Sequence, residues 1–64
     1  MSDRAQRVLD ALIEYDYDGE YAYPLISLHD FVTNINGFEV SEDYESLTDE
    51  EERQVIEAFL EHSY

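Results

Sequence analysis

The sequence contains no cysteine and no lysine, and its only basic residues besides two histidines are three arginines. Without cysteine there is neither a disulfide framework nor a thiolate metal site to support a small fold, which fits a reducing cytoplasm. Two glycines and one proline among 64 residues leave little of the punctuation that marks a linker or a low-complexity segment. No apolar run approaches the ~18 residues of a membrane span. The opening MSDRAQRVL also lacks the basic-then-apolar order of a signal peptide, so a soluble, cytoplasmic protein is expected. At this length one domain over residues 1–64 is expected, with a small core, because a chain of about 60 residues buries only about 60% of its unfolded surface.

What is present is acid. Seventeen Asp and Glu give a net charge of −14, and the charge is unevenly placed. Asp3, Arg4, Arg7 and Asp10 cancel within residues 1–13, so residues 14–64 carry the whole excess against the single Arg53. High net charge with low hydropathy is the signature of disorder. Hydrophobic residues at 44%, six Tyr and three Phe, set in periodic patterns, argue for a folded chain instead. Self-repulsion of this size destabilises a compact state, and a polyanionic surface argues against direct binding of nucleic acid or of anionic membranes.

Helical periodicity is clearest in SDRAQRVLDALIEY, where Ala5, Val8, Leu9, Leu12 and Ile13 share one face. Ser2 is its expected N-cap, and Asp3 and Arg7, four apart, are placed to pair on the outer face. The segment YDYDGEYAY (15–23) breaks the period, with a turn at Gly19. Pro24 restricts Tyr23 to extended backbone and suits the first position of a second helix over 24–36. Leu25, Leu28, Phe31, Val32 and Ile35 supply that helix's expected stripe, and Asn36-Gly37 its stop, with Gly in the left-handed conformation.

Phe38-Glu39-Val40 alternates like a short extended piece. SEDYESL reads as a loop or single turn anchored by Tyr44 and Leu47. Thr48 and Glu51 form a capping box for a third helix whose buried stripe is Val55, Ile56, Phe59 and Leu60. Asp49 to Glu52 favour the positive end of that helix. The expected fold is all-α, a compact three-helix domain; the alternative is α+β, with 15–23 and 38–40 pairing as a two-stranded ribbon.

Residues for catalysis or metal binding do not assemble in this pattern. A calcium loop starting at Asp16 needs Gly and Glu where the chain has Tyr21 and Ser27. His29 and His62 lack the spacing of a zinc site, and His62 better suits the negative end of the last helix. There is no Gly-rich phosphate loop, no nucleophile elbow and no carboxylate pair set apart for acid–base work. A non-enzymatic protein without cofactor or metal is expected.

The carboxylates themselves form a pattern. Glu50, Glu57 and Glu61 share the face opposite Val55 and Phe59, and carboxylates four apart on a helix lie about 6 Å apart along its axis. If 16–20 is extended, Asp16, Asp18 and Glu20 point one way at roughly 6–7 Å. Glu39, Glu42, Asp43, Glu45 and Asp49 to Glu52 place eight acids within fourteen residues. Such spacings are comparable to those of successive DNA phosphates. Tyr15, Tyr17, Tyr21 and Tyr23 are candidate anchors, since Tyr is enriched in interface hot spots; closing the core over a short loop is their alternative use.

In size, charge and missing cysteine the whole chain resembles the small acidic inhibitors of bacteriophages and mobile elements, among them DNA-mimic anti-restriction proteins and anti-CRISPR proteins. No motif carries the resemblance. It implies a protein that occupies the DNA-binding or PAM-reading groove of a nuclease complex, its partner being a basic DNA-binding protein or a CRISPR or restriction effector subunit, with no cofactor. Asp16, Asp18, Glu20, Tyr15, Tyr17, Tyr21, Glu39, Glu42, Asp43, Glu45, Asp49, Glu50, Glu57 and Glu61 are the expected partner-binding residues, and a monomer is favoured. Two other readings account for the same charge: an acidic adaptor or chaperone for a basic protein, and a halophile-adapted domain.

Overall fold

The computed structural model describes residues 1–18 and 24–63, with the side chains of all of these except Tyr17, Asp18 and Ser63. Among the described residues the fold is all-α. It comprises α1 (Asp3–Asp18), α2 (Pro24–Thr33), a 3-10 turn (Ile35–Gly37), α3 (Ser41–Ser46) and α4 (Asp49–Ser63). No strand occurs among them, so the ribbon alternative does not hold at 38–40. The expected turn at Gly19, with Glu20, Tyr21 and Tyr23, lies outside the described residues.

Helix α1 is the element that the others pack on: α2, α3 and α4 each contact it. Its apolar stripe explains why. Ala5, Val8, Leu9 and Leu12 are buried and meet Phe31 of α2, Ile35 of the 3-10 turn, and Val55 and Phe59 of α4. Full burial of one such side chain stabilises by about 1.5–3 kcal/mol. The radius of gyration of 10.7 Å matches the roughly 11 Å of a compact chain this long.

Local signals start the helices as expected. Ser2 Oγ accepts the Ala5 N–H at 3.2 Å, an N-cap worth about 1 kcal/mol. At α4 the capping box is complete: Thr48 Oγ1 accepts the Glu51 N–H at 3.2 Å, and the Glu51 carboxylate accepts the Thr48 N–H at 2.9 Å. Pro24 opens α2 and is itself buried.

Four expectations are corrected. First, α1 runs on to Asp18, so Asp16 and Asp18 lie in helical rather than extended backbone, and the 6–7 Å row does not form there. Second, α2 ends at Thr33 without a left-handed glycine. The Asn34 side-chain amide donates to the Asp30 carbonyl at 2.9 Å, the chain tightens into the 3-10 turn, and no glycine among the described residues has positive φ. Third, SEDYES is a helix, α3, that the preceding turn feeds through Tyr44 N–H to the Val40 carbonyl at 2.8 Å. Tyr44 and Leu47 still anchor it against the core.

Fourth, α2 is rotated relative to its expected stripe by roughly 50° on a 100° wheel. Pro24, Ser27 and Phe31 are buried, whereas Leu25 is 65% and Val32 37% exposed. Aromatic packing sets the rotation. The Phe31 ring lies 4.7 Å from Phe38 and 5.8 Å from Tyr15, and Tyr15 meets Phe38 edge-on at 5.5 Å. Drawing Phe31 into this triad carries Leu25 and Val32 to the flank.

Phe31→Ala is therefore expected to cost about 3–5 kcal/mol, enough to unfold much of a small domain. Leu25→Ala is expected to stay within about 0.5 kcal/mol. Urea unfolding followed by circular dichroism distinguishes them, and equal losses would refute the observed face of α2.

Candidate acidic interaction surface

The arginines decide which carboxylates are free. Arg4 grips Glu51 through Nε at 2.8 and 3.1 Å and Nη2 at 2.6 Å. Glu51 also accepts from Ser2 Oγ and, as the capping-box acid, from the Thr48 N–H. Arg7 pairs with Asp43 in a bidentate fork, both contacts 2.9 Å, and not with Asp3 as the i, i+4 spacing suggests. The cause is geometric: α3 packs on α1 and offers a carboxylate that matches both donors of the guanidinium. Arg53 lies 3.6 Å from Glu50 on the same helix.

These pairs shift titration in a definite direction. The Arg4 guanidinium, then the Ser2 hydroxyl and the Thr48 amide, hold the Glu51 carboxyl far below the usual carboxylate range. Arg7 does the same to Asp43, chiefly by hydrogen bonding. Neither carboxylate presents a bare charge to a partner, although Asp43 belongs to the expected set.

The other acids have no such counterpart. Glu39, Glu42, Glu45, Asp49, Glu57 and Glu61 are exposed, and no basic side chain among the described residues lies within ion-pair distance of them. Glu57 and Glu61 stand on the outer face of α4, opposite the buried Val55 and Phe59. Glu50 shares that face with its charge partly offset by Arg53. Asp16 is half-buried near the end of α1. Glu20 and Tyr21, and the side chains of Tyr17 and Asp18, lie outside the described residues.

Tyr15 is the tyrosine of the expected set whose place is defined, and it serves two ends. One side of its ring joins the Phe31–Phe38 triad. The residue also lines an open cleft of about 490 Å³ between α1 and the 38–40 turn, together with Asp10, Glu14, Phe38, Glu39 and the Asp43-paired Arg7. The fold thus brings Tyr15 and Glu39 together across 24 positions of sequence and adds Asp10 and Glu14. Asp10 is hidden by the neutral sum of residues 1–13, and Glu14 is the first acid of the excess that follows. Once Arg4 and Arg7 turn toward Glu51 and Asp43, Asp10 keeps only the Gln6 amide at 2.9 Å. The i, i+4 placement of Asp10 and Glu14 was the available signal.

A second, smaller groove of about 180 Å³ is mainly apolar and runs between α2 and α4, with Glu52 at its edge. Among the described residues no three His, Asp or Glu side chains converge on a point that would hold a metal ion, and no helix is long and apolar enough to cross a membrane. No protein-family model matches the chain, and no curated protein or solved structure matches it either. The surface has to be read from its own chemistry.

Because folding lowers the Glu51 and Asp43 titrations, each contributes stability above the unfolded carboxylate value, 4.5 for Glu51. That contribution drains away as pH falls through the lowered folded value. Glu51→Gln is expected to lower Tm by several degrees at neutral pH, with the gap to the parent narrowing progressively below pH 4.5. A gap that stays constant into strong acid would show that the carboxylate's charge is not what Arg4 and Ser2 hold.

Proposed function

We propose that this protein is a non-enzymatic inhibitor that binds the positively charged DNA-binding surface of a nucleic-acid-binding complex by standing in for DNA phosphates. It would work in its host cell's cytoplasm as an inhibitor of the anti-restriction or anti-CRISPR kind, with a restriction or CRISPR effector subunit as its target. One observation carries the reading. All three arginines are paired with carboxylates of the fold, so the exposed carboxylates of α3, α4 and the outer side of α1 form a predominantly negative surface. The exposed cations on it, Arg7 and Arg53, each already face a carboxylate, so the even interspersion of both signs usual on a soluble domain is lacking.

A surface of this kind steers a basic partner over long range and loses affinity as salt rises. The Tyr15–Phe38 edge beside Asp10, Glu14 and Glu39 adds aromatic area where a partner's arginine can stack. Exposed ion pairs alone contribute little each, so affinity depends on many of them acting together.

The direct test is competition. A complex captured from host lysate is titrated with duplex DNA in the presence and absence of the protein. Mutual exclusion is expected, with the logarithm of affinity falling linearly with the logarithm of salt. A ternary complex in which the partner still binds DNA normally would overturn the proposal. Geometry separates a phosphate mimic from a general acidic adaptor. Exchanging Ser41 with Glu42 and Glu45 with Ser46 keeps the charge, and keeps Asp43 and Glu51 for the fold. A mimic should lose affinity by about tenfold, the effect of ~1.4 kcal/mol, whereas an adaptor should be indifferent.

A further inference from the structure

The charged surface leaves unexplained a cluster of apolar side chains that the fold presents to solvent. Leu25 and Val32, both on α2, are 65% and 37% exposed; Ile26, 46% exposed, points about 100° away from Leu25 around the same helix. Leu25 and Val32 are seven residues apart, hence on one side of the helix and about 10 Å apart along it. Leu28 lies between them. Leu28 and Val32 continue into the groove shared with Tyr44, Leu47 and Ile56. The ridge and the groove make one apolar strip flanked by α4, and Glu52 lines its edge without a basic partner among the described residues.

We infer that this strip is a docking site for an amphipathic helical segment of a partner protein, apolar along one face and Lys- or Arg-bearing on its flanks. Helix-in-groove recognition takes this form, with anchors at i, i+3, i+4 and i+7 entering an apolar channel. Charge selects the occupant. A second copy of this chain would bring another net −14 against an edge that is already acidic, and repulsion between like polyanions opposes that contact. A neutral apolar helix would gain burial but leave Glu52 unmatched. A basic amphipathic helix satisfies both the strip and its edge. The inference shares with the proposed function only the basic character of the partner. It does not require the carboxylates to copy DNA spacing.

The test uses the full chain and three synthetic peptides of equal length and charge. One carries Leu at i, i+3, i+4 and i+7 with Lys and Arg elsewhere. The second has the same composition scrambled so that the Leu residues share no face, and the third has Ser in place of Leu. Binding is read by fluorescence anisotropy, and the contact site by backbone amide shifts. The amphipathic peptide is expected to bind about tenfold or more tightly than either control, as burial of two aliphatic side chains allows. The shifts should map to α2 and the α4 face around Ile56.

Leu25→Ser and Val32→Ser, both at exposed positions, are expected to abolish that advantage while the circular dichroism spectrum and Tm stay near the parent's. Equal binding of the three peptides, or an unchanged advantage in the Ser variants, would overturn the inference. So would concentration-dependent self-association that the Ser variants abolish, because the strip would then belong to a second copy. Peptide binding without DNA displacement would retain the groove and refute the mimic. DNA displacement without the peptide preference would do the reverse.

Discussion

Two bidentate contacts hold the acidic half of this chain to the rest: Arg4 on Glu51 and Arg7 on Asp43. Both arginines belong to α1, and both carboxylates belong to the 39–52 stretch where acid is densest. An isolated surface ion pair contributes little, but these differ in setting. Each guanidinium sits in the summed field of an excess of carboxylates, and Glu51 is at once an ion-pair partner, an acceptor for Ser2 and half of the α4 capping box. Apolar packing on α1 supplies most of the cohesion, from Ala5, Val8, Leu9 and Leu12 against Phe31, Val55 and Phe59. The arginines offset part of the repulsion among the carboxylates where α3 and α4 lie against that core.

The same arrangement makes the outside predominantly negative. Pairing Arg4 and Arg7 with the carboxylates that the fold itself requires leaves other acids without a basic partner among the described residues, including Asp10 and Glu14 on α1, a helix of five acids and two arginines. The apolar strip on α2 is a second kind of surface on the same small body. Steering by charge and anchoring by burial are different physical tasks, and the fold places them on different elements.

Features set by neighbours three or four residues apart were legible before any coordinates. The Ser2 cap, the Thr48–Glu51 box, the buried faces of α1 and α4, and Pro24 as a helix start all follow from local rules. What needed the structure depends on contacts far apart in sequence. Arg7 forsakes Asp3 for a carboxylate 36 residues away, and Arg4 reaches one 47 away. The rotation of α2 was not legible because Leu25 and Val32 look as apolar as Phe31; only the fit of three rings among Tyr15, Phe31 and Phe38 ranks them. Helix α3 was missed because six residues are too few for a periodic signal. At the candidate surface, nothing local in the sequence joins Tyr15 to Glu39, and Asp10 is masked by the arginines near it.

The most direct measurement is thermal unfolding of the Arg4→Gln, Arg7→Gln double variant as a function of salt. Removing both cations frees Asp43 and Glu51 and raises the net negative charge, so Tm should fall steeply at low ionic strength. The deficit should shrink as added salt screens the carboxylates from one another. A variant that melts with the parent at low salt would contradict the central claim that α1 holds the acidic helices through these two contacts.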